Sequence, residues 1–260
     1  MMNTKTKAWI NLVVLVATLI VNGLGGTGLI NNSSQSDVSR EYQTLITPAG
    51  FAFSIWSLIY GLLFFAVVAM IVKRNEPYYN RAIESISPLF WLSSAFNMGW
   101  IVTFSYYQVG ISAILIFGYL FSLTFIVKKL LNIHENKRWL LPLAFGLNTG
   151  WLFIASVVNV STYLVQIEWD GFGISDVTWT AIMLVVSVVL ALLVLLNLKN
   201  AAFPLPIAWA YFAINRELAS IDESFLLQMI ALGGMVVLAA AAVWIFQQNK
   251  TALYPERQTV

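Results

Sequence analysis

Long apolar runs, separated by short polar connections, alternate along almost the whole chain. A helix that crosses about 30 Å of hydrocarbon needs about 20 predominantly apolar residues. Eight runs approach this length, and they predict eight transmembrane helices. The runs cover residues 8–30, 51–72, 88–107, 109–131, 139–165, 175–197, 201–218 and 224–247. The seventh has the shortest regular part, because Pro204 and Pro206 stand near its start and Arg216 and Glu217 end it. Prolines are tolerated in the first turn of a helix.

The composition supports a membrane location. Hydrophobic residues make up 59% of the 260 residues and charged residues only 10%, whereas soluble domains carry about 25% charged residues. A soluble domain could not cover its surface with so few charges, so we predict an all-α integral membrane protein. The chain contains no cysteine, which excludes disulfides and thiolate chemistry.

The positions of the charged residues predict the orientation of the helices. With eight spans, twelve of the fourteen Lys and Arg residues fall on one side, and only Arg40 and Arg216 fall on the other. The twelve are Lys5, Lys7, Lys73, Arg74, Arg81, Lys128, Lys129, Lys137, Arg138, Lys199, Lys250 and Arg257. The acidic residues of the other side are Asp37, Glu41, Glu168, Asp170, Asp176, Glu217, Asp222 and Glu223. Positive charge favours the cytoplasmic side, so the pattern places both termini in the cytoplasm.

The first apolar run also has features of a cleaved signal peptide. Lys5 and Lys7 precede it, as in the charged segment of a signal sequence. Its apolar core is long, however, and no Ala-x-Ala-like cleavage site follows. The pattern therefore favours a permanent first helix.

Several kinds of chemistry lack the residues that they need. No predicted span carries a charge near its middle, which argues against an ion-driven pump or a proton relay. The single histidine, His134, lies in a connection without a second metal ligand near it, so we expect no metal and no other cofactor. Phosphate loops and hydrolase motifs are absent, and we expect no enzyme. The basic connections are short and are typical of topology determinants, not of nucleic-acid-binding surfaces.

Two spans carry rings and amides on one helical face. In the third span these are Asn97, Trp100 and Phe104, and in the fifth they are Trp151, Ala155 and Asn159. Their spacings of three, four, seven and eight residues place each set on one side of its helix. A ring, a gap and an amide would suit a flat, mainly apolar ligand that accepts or donates one or two hydrogen bonds. Ordinary close packing of helices is an equally good explanation of the spacing alone.

The same residues give the chain a resemblance to the TspO/MBR family, the translocator proteins whose bacterial members are called tryptophan-rich sensory proteins. Three motifs are similar and follow the family's order. They are the second-helix motif at Trp56 and Tyr60, the third-helix motif at Asn97, Trp100 and Phe104, and the fifth-helix motif at Trp151, Ala155 and Asn159. The resemblance implies a five-helix bundle over residues 1–165. Residues 166–260 would add a three-helix membrane segment that packs on this bundle within one membrane domain.

The resemblance also implies a function and a site. Family members bind tetrapyrroles, sterol-like molecules and synthetic aromatic ligands in a cavity under the first loop. It therefore implies that residues 47–61 form a lid, with Phe51, Phe53, Trp56 and Tyr60 presenting ring faces to the ligand. The other wall would come from the third-span and fifth-span residues named above. The expected protein is a sensor or a transporter-like protein for a flat hydrophobic molecule, porphyrin-like or sterol-like, in the plasma membrane of a bacterium.

Two other functions remain open at this point. One is a structural or regulatory partner of another membrane protein, which would use small-residue faces such as Ala95-x-x-x-Gly99 and Gly146-x-x-x-Gly150 for packing. The other is an enzyme that modifies a tetrapyrrole, which the missing catalytic residues disfavour. We expect contacts with membrane lipids, and a homodimer is compatible with the small-residue faces.

Overall fold

The computed structural model describes residues 2–135, 138–221 and 224–256, and these form helices and connections without a strand. The α-helices in this part of the chain are α1 (Thr4–Gly26), α2 (Gln35–Glu41), α3 (Ile55–Val72), α4 (Pro77–Ser105), α5 (Val109–Asn132), α6 (Leu140–Gln166), α7 (Asp176–Leu198), α8 (Pro204–Ser220) and α9 (Phe225–Gln248). Two short 3-10 helices, Gly50–Ser54 and Gly171–Gly173, lie in the connections. The predicted all-α fold is therefore observed.

Each of the eight apolar runs coincides with one long helix, and the main difference lies in α4. This helix begins at Pro77, well before the run that starts at residue 88. A proline in the first turn favours helix initiation, and the first turns of α4 make ion pairs with Lys7 of α1 and with Glu135 of the connection after α5. Apolar patterning does not detect such a polar extension of a long apolar helix.

Helix α2 was not expected, because its segment has the composition of a polar loop. It begins with a capping box: the Ser34 side chain accepts a hydrogen bond from the Asp37 amide, and the Asp37 carboxylate accepts one from the Ser34 amide. These two bonds satisfy amides that a short helix would otherwise leave unpaired. The helix places Gln35 in the wall of the cavity described below.

Six of the described helical segments are long and apolar enough to cross a membrane. They are Thr4–Gly26, Gly50–Val72, Val109–Asn132, Leu140–Gln166, Asp176–Leu198 and Phe225–Gln248. The third of the predicted spans, in α4, and the seventh, in α8, are not among them. The six segments establish an integral membrane protein.

The helices α1, α3, α6, α5 and α4 pack in this order around a closed ring, with α4 returning to α1. Helices α8 and α9 form a hairpin outside the ring, where α8 lies against α6 and also contacts the 3-10 helix Gly50–Ser54. Helix α7 packs mainly on α9. Buried apolar side chains from the ring and from the outer helices belong to one continuous core.

The contact between α6 and α8 depends on two glycines. A Cβ atom added at Gly146 would overlap the side chain of Asn200, and one added at Gly150 would overlap the carbonyl oxygen of Phe203. The Asn200 side chain also donates to the Pro142 carbonyl at 2.9 Å. The small-residue face Gly146-x-x-x-Gly150 is thus covered by this chain's own α8. On α4, an added Cβ at Gly99 would meet Leu115 of α5 at 3.3 Å.

Ion pairs join the helix ends at the side that is rich in basic residues. Lys7 of α1 pairs with Glu84 of α4, Arg81 of α4 contacts Glu135, and Arg138 pairs with Glu76 at 3.1 Å. These partly exposed pairs contribute little stability, about 0–1 kcal/mol each, but they show that the ends lie together. Four charged residues used in the topology prediction, namely Lys137, Asp222, Glu223 and Arg257, lie outside the described residues.

His134 is buried at this same side, with a relative exposure of 1%. Its ring packs edge-on against Tyr254, with 5.4 Å between ring centroids. The Tyr254 hydroxyl donates to the Val127 carbonyl at 2.9 Å, which anchors the segment that follows α9. Neither ring nitrogen of His134 has a hydrogen-bond partner among the described residues. Burial lowers the pKa of His134 below its usual value, and the nearby Glu256 and Glu135 carboxylates oppose this shift only partly.

We expect acid to destabilise the protein through His134. Because its pKa is lowered in the folded state, the unfolded chain takes up the proton first as the pH falls below about 6.5. The stabilising effect of the neutral ring is therefore complete above this pH and is lost below it. The variant His134→Phe keeps the ring contact without a titrating group, so most of the loss of thermal stability between pH 7.5 and pH 5.5 should disappear. Melting curves in detergent at both pH values, with wild type as the control, measure this. An unchanged pH dependence in the variant would contradict the prediction.

Candidate ligand-binding site

A small cavity lies under the first connection, between α3, α4 and α6. Its volume is about 40 Å³, and its wall is mainly apolar. The described residues that line it are Gln35, Ser39, Pro48, Phe53, Trp56, Trp100, Phe104, Trp151, Ile154, Ala155, Val158, Asn159, Thr162 and Ala210. The cavity therefore draws its wall from five helices and from the connection above them.

Three indole rings from three helices meet at this cavity. The ring of Trp56 lies 6.0 Å from that of Trp151, edge to face, and 6.4 Å from that of Trp100. Phe53 contacts the Trp151 ring edge-on at 6.3 Å, and Phe104 stacks on Trp100 at 5.7 Å. Edge-to-face and offset-stacked pairs at these distances are favourable arrangements of aromatic rings. The result is a set of ring faces with little space between them.

Three hydrogen-bond donors in the wall are buried without a partner among the described residues. They are Nε1 of Trp100, Nε1 of Trp151 and Nε2 of Gln35. A buried polar group that lacks a partner costs about 1–3 kcal/mol. By contrast, the Asn159 side chain exchanges weak hydrogen bonds with Ser112 at 3.2 and 3.3 Å. These N–H groups are therefore buried in residues of the wall, and each lacks the hydrogen-bond acceptor that buried donors normally have.

Seven of the ten residues predicted for the site line this cavity. They are Phe53, Trp56, Trp100, Phe104, Trp151, Ala155 and Asn159. Phe51, Tyr60 and Asn97 do not. Phe51 lies on the outer side of the connection and packs on Trp209 and Phe212 of α8, at 5.4 and 6.0 Å.

Tyr60 and Asn97 belong to a closed ring of hydrogen bonds with Asn22 of α1. The Tyr60 hydroxyl donates to Asn22 Oδ1 at 2.7 Å, Asn22 Nδ2 donates to Asn97 Oδ1 at 2.7 Å, and Asn97 Nδ2 donates to the Tyr60 oxygen at 3.0 Å. The Tyr60 ring also stacks on Trp56, with 5.1 Å between centroids. The hydrogen-bond ring joins α1, α3 and α4, and it fixes the Tyr60 side chain on which Trp56 stacks.

The connection over the cavity is attached to α8. The Trp209 indole donates to the Ala52 carbonyl at 3.1 Å, and the Ala49 amide donates to the Ala213 carbonyl at 3.2 Å. The Thr47 hydroxyl accepts a hydrogen bond from the Thr44 amide at 3.0 Å, and the first helical turn begins at Gly50. Residues 49–52 of this connection are therefore attached to the outer hairpin, and residues 55–61 form the first turns of α3.

Sequence reasoning missed three contributors from elements that it did not connect with the site, namely Gln35, Ser39 and Ala210. Gln35 comes from α2, and the capping-box pattern Ser34-x-x-Asp37 was a signal for that helix. Ala210 comes from α8, and nothing in its local sequence indicates that this helix reaches the cavity. Its position follows from the close approach of α8 to α6.

A comparison of the chain with protein families adds a finding that is independent of this geometry. The chain matches the family described as TSPO-like protein over residues 8–244. It belongs to this family. Comparisons with curated proteins and with solved structures give no match. The match of this TSPO-like protein to its family runs through α7, α8 and most of α9, so it includes the helices outside the ring.

Proposed function

We propose that this TSPO-like protein binds a flat hydrophobic molecule of the porphyrin or sterol type in the aromatic cavity, as a sensor or transporter-like protein. The observation that carries the proposal is the set of three unpartnered N–H donors in a wall of aromatic rings. Keeping three such donors buried is costly unless something accepts from them. A ligand that combines ring faces with hydrogen-bond acceptors would satisfy both features of the wall.

The size of the cavity adds a condition. Sites for drug-sized ligands have volumes of about 300–1,000 Å³, whereas this cavity has about 40 Å³. A porphyrin-sized ligand would therefore bind only when the rings part. Phe53 and Trp56 stand on the segment that covers the cavity, so ligand binding is coupled to movement of that segment.

The lining favours binding over catalysis. The described residues of the wall include no carboxylate, imidazole, amine or thiol that could act as a general acid, base or nucleophile. The small-residue faces that a regulatory partner would use are in contact with this chain's own helices at Gly99, Gly146 and Gly150. Both observations support a receptor for a small molecule.

We further propose eight membrane spans with both termini on the cytoplasmic side of a bacterial plasma membrane. Helix α4 has 29 residues, and α8 has 17, which corresponds to a length of about 26 Å for α8. Two further observations support the proposal: the basic residues fall mainly on one side of the predicted spans, and ion pairs join the helix ends at that side. Reporter fusions after residues 40, 135, 170 and 220 test it. A fusion after 135 should report the cytoplasm and the other three the outside, and any other result contradicts the map.

Titration of the purified protein with protoporphyrin in detergent tests the binding proposal. The cavity brings together three indole rings, so a ligand bound between them should quench their fluorescence in a saturable way. Free tryptophan with detergent, at the same absorbance, corrects for inner-filter effects. Quenching that rises linearly without saturation would contradict the proposal.

A further inference from the structure

A second and larger hollow adjoins the cavity, between α1, α2 and α3. Its volume is about 360 Å³, in the range of sites that hold drug-sized ligands. Gln35, Phe53 and Trp56 line both this hollow and the aromatic cavity. These three side chains are therefore a partition between the two spaces.

The wall of the hollow combines apolar side chains, such as Leu19 and Ile101, with neutral polar groups. Its described lining includes the side-chain amides and hydroxyls of Asn22, Ser34, Ser36 and Ser57, and no charged side chain. Asn22 is fixed by the hydrogen-bond ring with Tyr60 and Asn97. Because none of the described lining side chains is charged, a carboxylate brought here would lose water without gaining a cation, whereas a neutral hydrogen-bonding group would find amides and hydroxyls as partners.

Glycines keep the α1 side of the hollow open. A Cβ atom added at Gly23 would meet no atom within 4 Å, and one added at Gly26 would meet only the Gln35 side chain, at 3.9 Å. The membrane helix α1 thus presents bare backbone to this space. Beside it, Nε2 of Gln35 is a buried donor without a partner among the described residues.

We infer that the hollow is a second compartment of the ligand site, which binds the uncharged hydrogen-bonding end of an amphipathic ligand whose flat apolar part enters the aromatic cavity. The inference rests on the proposed function. The ligand class that fits both compartments is a ring system with an ester, amide, ketone or hydroxyl group at one end. When Phe53 and Trp56 move aside, the two spaces join, and the Gln35 amide donates to that group at the junction.

The test compares protoporphyrin dimethyl ester with the free diacid, each titrated against the intrinsic tryptophan fluorescence of the full chain. The two probes share the ring and differ in the charge of the end groups. Wild type should bind the ester about tenfold more tightly than the diacid. In Gly23→Leu, where the new side chain occupies the hollow, the affinity for the ester should fall about tenfold or more. Gly61→Leu is the matched control, because an added Cβ at Gly61 also meets no atom within 4 Å but Gly61 does not line the hollow.

Ser57→Leu fills the same space from α3 and keeps the test valid if Gly23→Leu misfolds, as judged by size-exclusion profile and melting temperature. The inference is overturned if the correctly folded variants bind the ester as tightly as wild type does. It is also overturned if wild type binds the diacid as tightly as the ester. In those cases saturable binding in wild type still supports the aromatic cavity. Failure of wild type to bind either probe instead contradicts the proposed function itself.

Discussion

Ala155→Leu is expected to reduce the affinity for protoporphyrin about 100-fold, which corresponds to about 2.7 kcal/mol. Ala155 lines the aromatic cavity on α6, one helical turn from Trp151. Leucine adds three carbon atoms to a space of about 40 Å³, so the branched side chain would occupy the position in which a ring has to lie. The measurement is the fluorescence titration described for wild type.

The control for this variant is Ala95→Leu, the same substitution at an exposed alanine of α4. It should bind protoporphyrin as wild type does. Overpacking at Ala155 costs about 1–3 kcal/mol of stability, so the melting temperature must be measured beside the affinity. A folded Ala155→Leu protein with wild-type affinity would mean that the ligand binds elsewhere.

Gly150→Ala is expected to lower the free energy of unfolding by about 3 kcal/mol. The new methyl group would overlap the Phe203 carbonyl oxygen and lie 2.7 Å from Cγ of Pro206. Backbone atoms cannot rotate away, so α8 as a whole has to move away from α6. Unfolding by a denaturing detergent in mixed micelles, followed by circular dichroism, measures the change.

Gly233→Ala on α9 provides the matched comparison. Its added Cβ meets no atom within 4 Å, and alanine is the better helix former by about 1 kcal/mol. This variant should be as stable as wild type or slightly more stable. If both variants behave alike, the close approach at Gly150 does not hold the outer hairpin on the ring.

The long helices were predictable because burial in lipid leaves a strong signal in the sequence. Apolar runs gave all eight long helices, although residues 77–87 of α4 escaped the prediction since they are polar and helical. Helix α2 was not predicted for a similar reason. It is short and amphipathic, and only its capping residues indicate a helix in the sequence. Hydrophobic runs therefore predicted the long helices well and their polar ends poorly, and six of the described helical segments are long and apolar enough to cross a membrane.

The candidate site was predictable only within single helices. The spacing of Trp100 and Phe104, and of Trp151, Ala155 and Asn159, correctly placed each set on one face that meets the cavity. Asn97 shares the face of Trp100, yet it pairs with Tyr60 and Asn22 because α1 approaches at that height. Gln35 and Ala210 reach the cavity through contacts between distant elements, which helical periodicity does not encode.

The attachment of residues 49–52 to α8 makes the hairpin and the cavity thermodynamically linked. If a ligand can enter only when the connection over the cavity moves away, its binding must break the Trp209–Ala52 and Ala49–Ala213 hydrogen bonds. Because such coupling is reciprocal, an interaction that moves α8 outward would favour ligand binding by the same free energy. Under the proposed function, a protein or lipid that binds the C-terminal helices from the bilayer would therefore change the affinity of the cavity for its ligand.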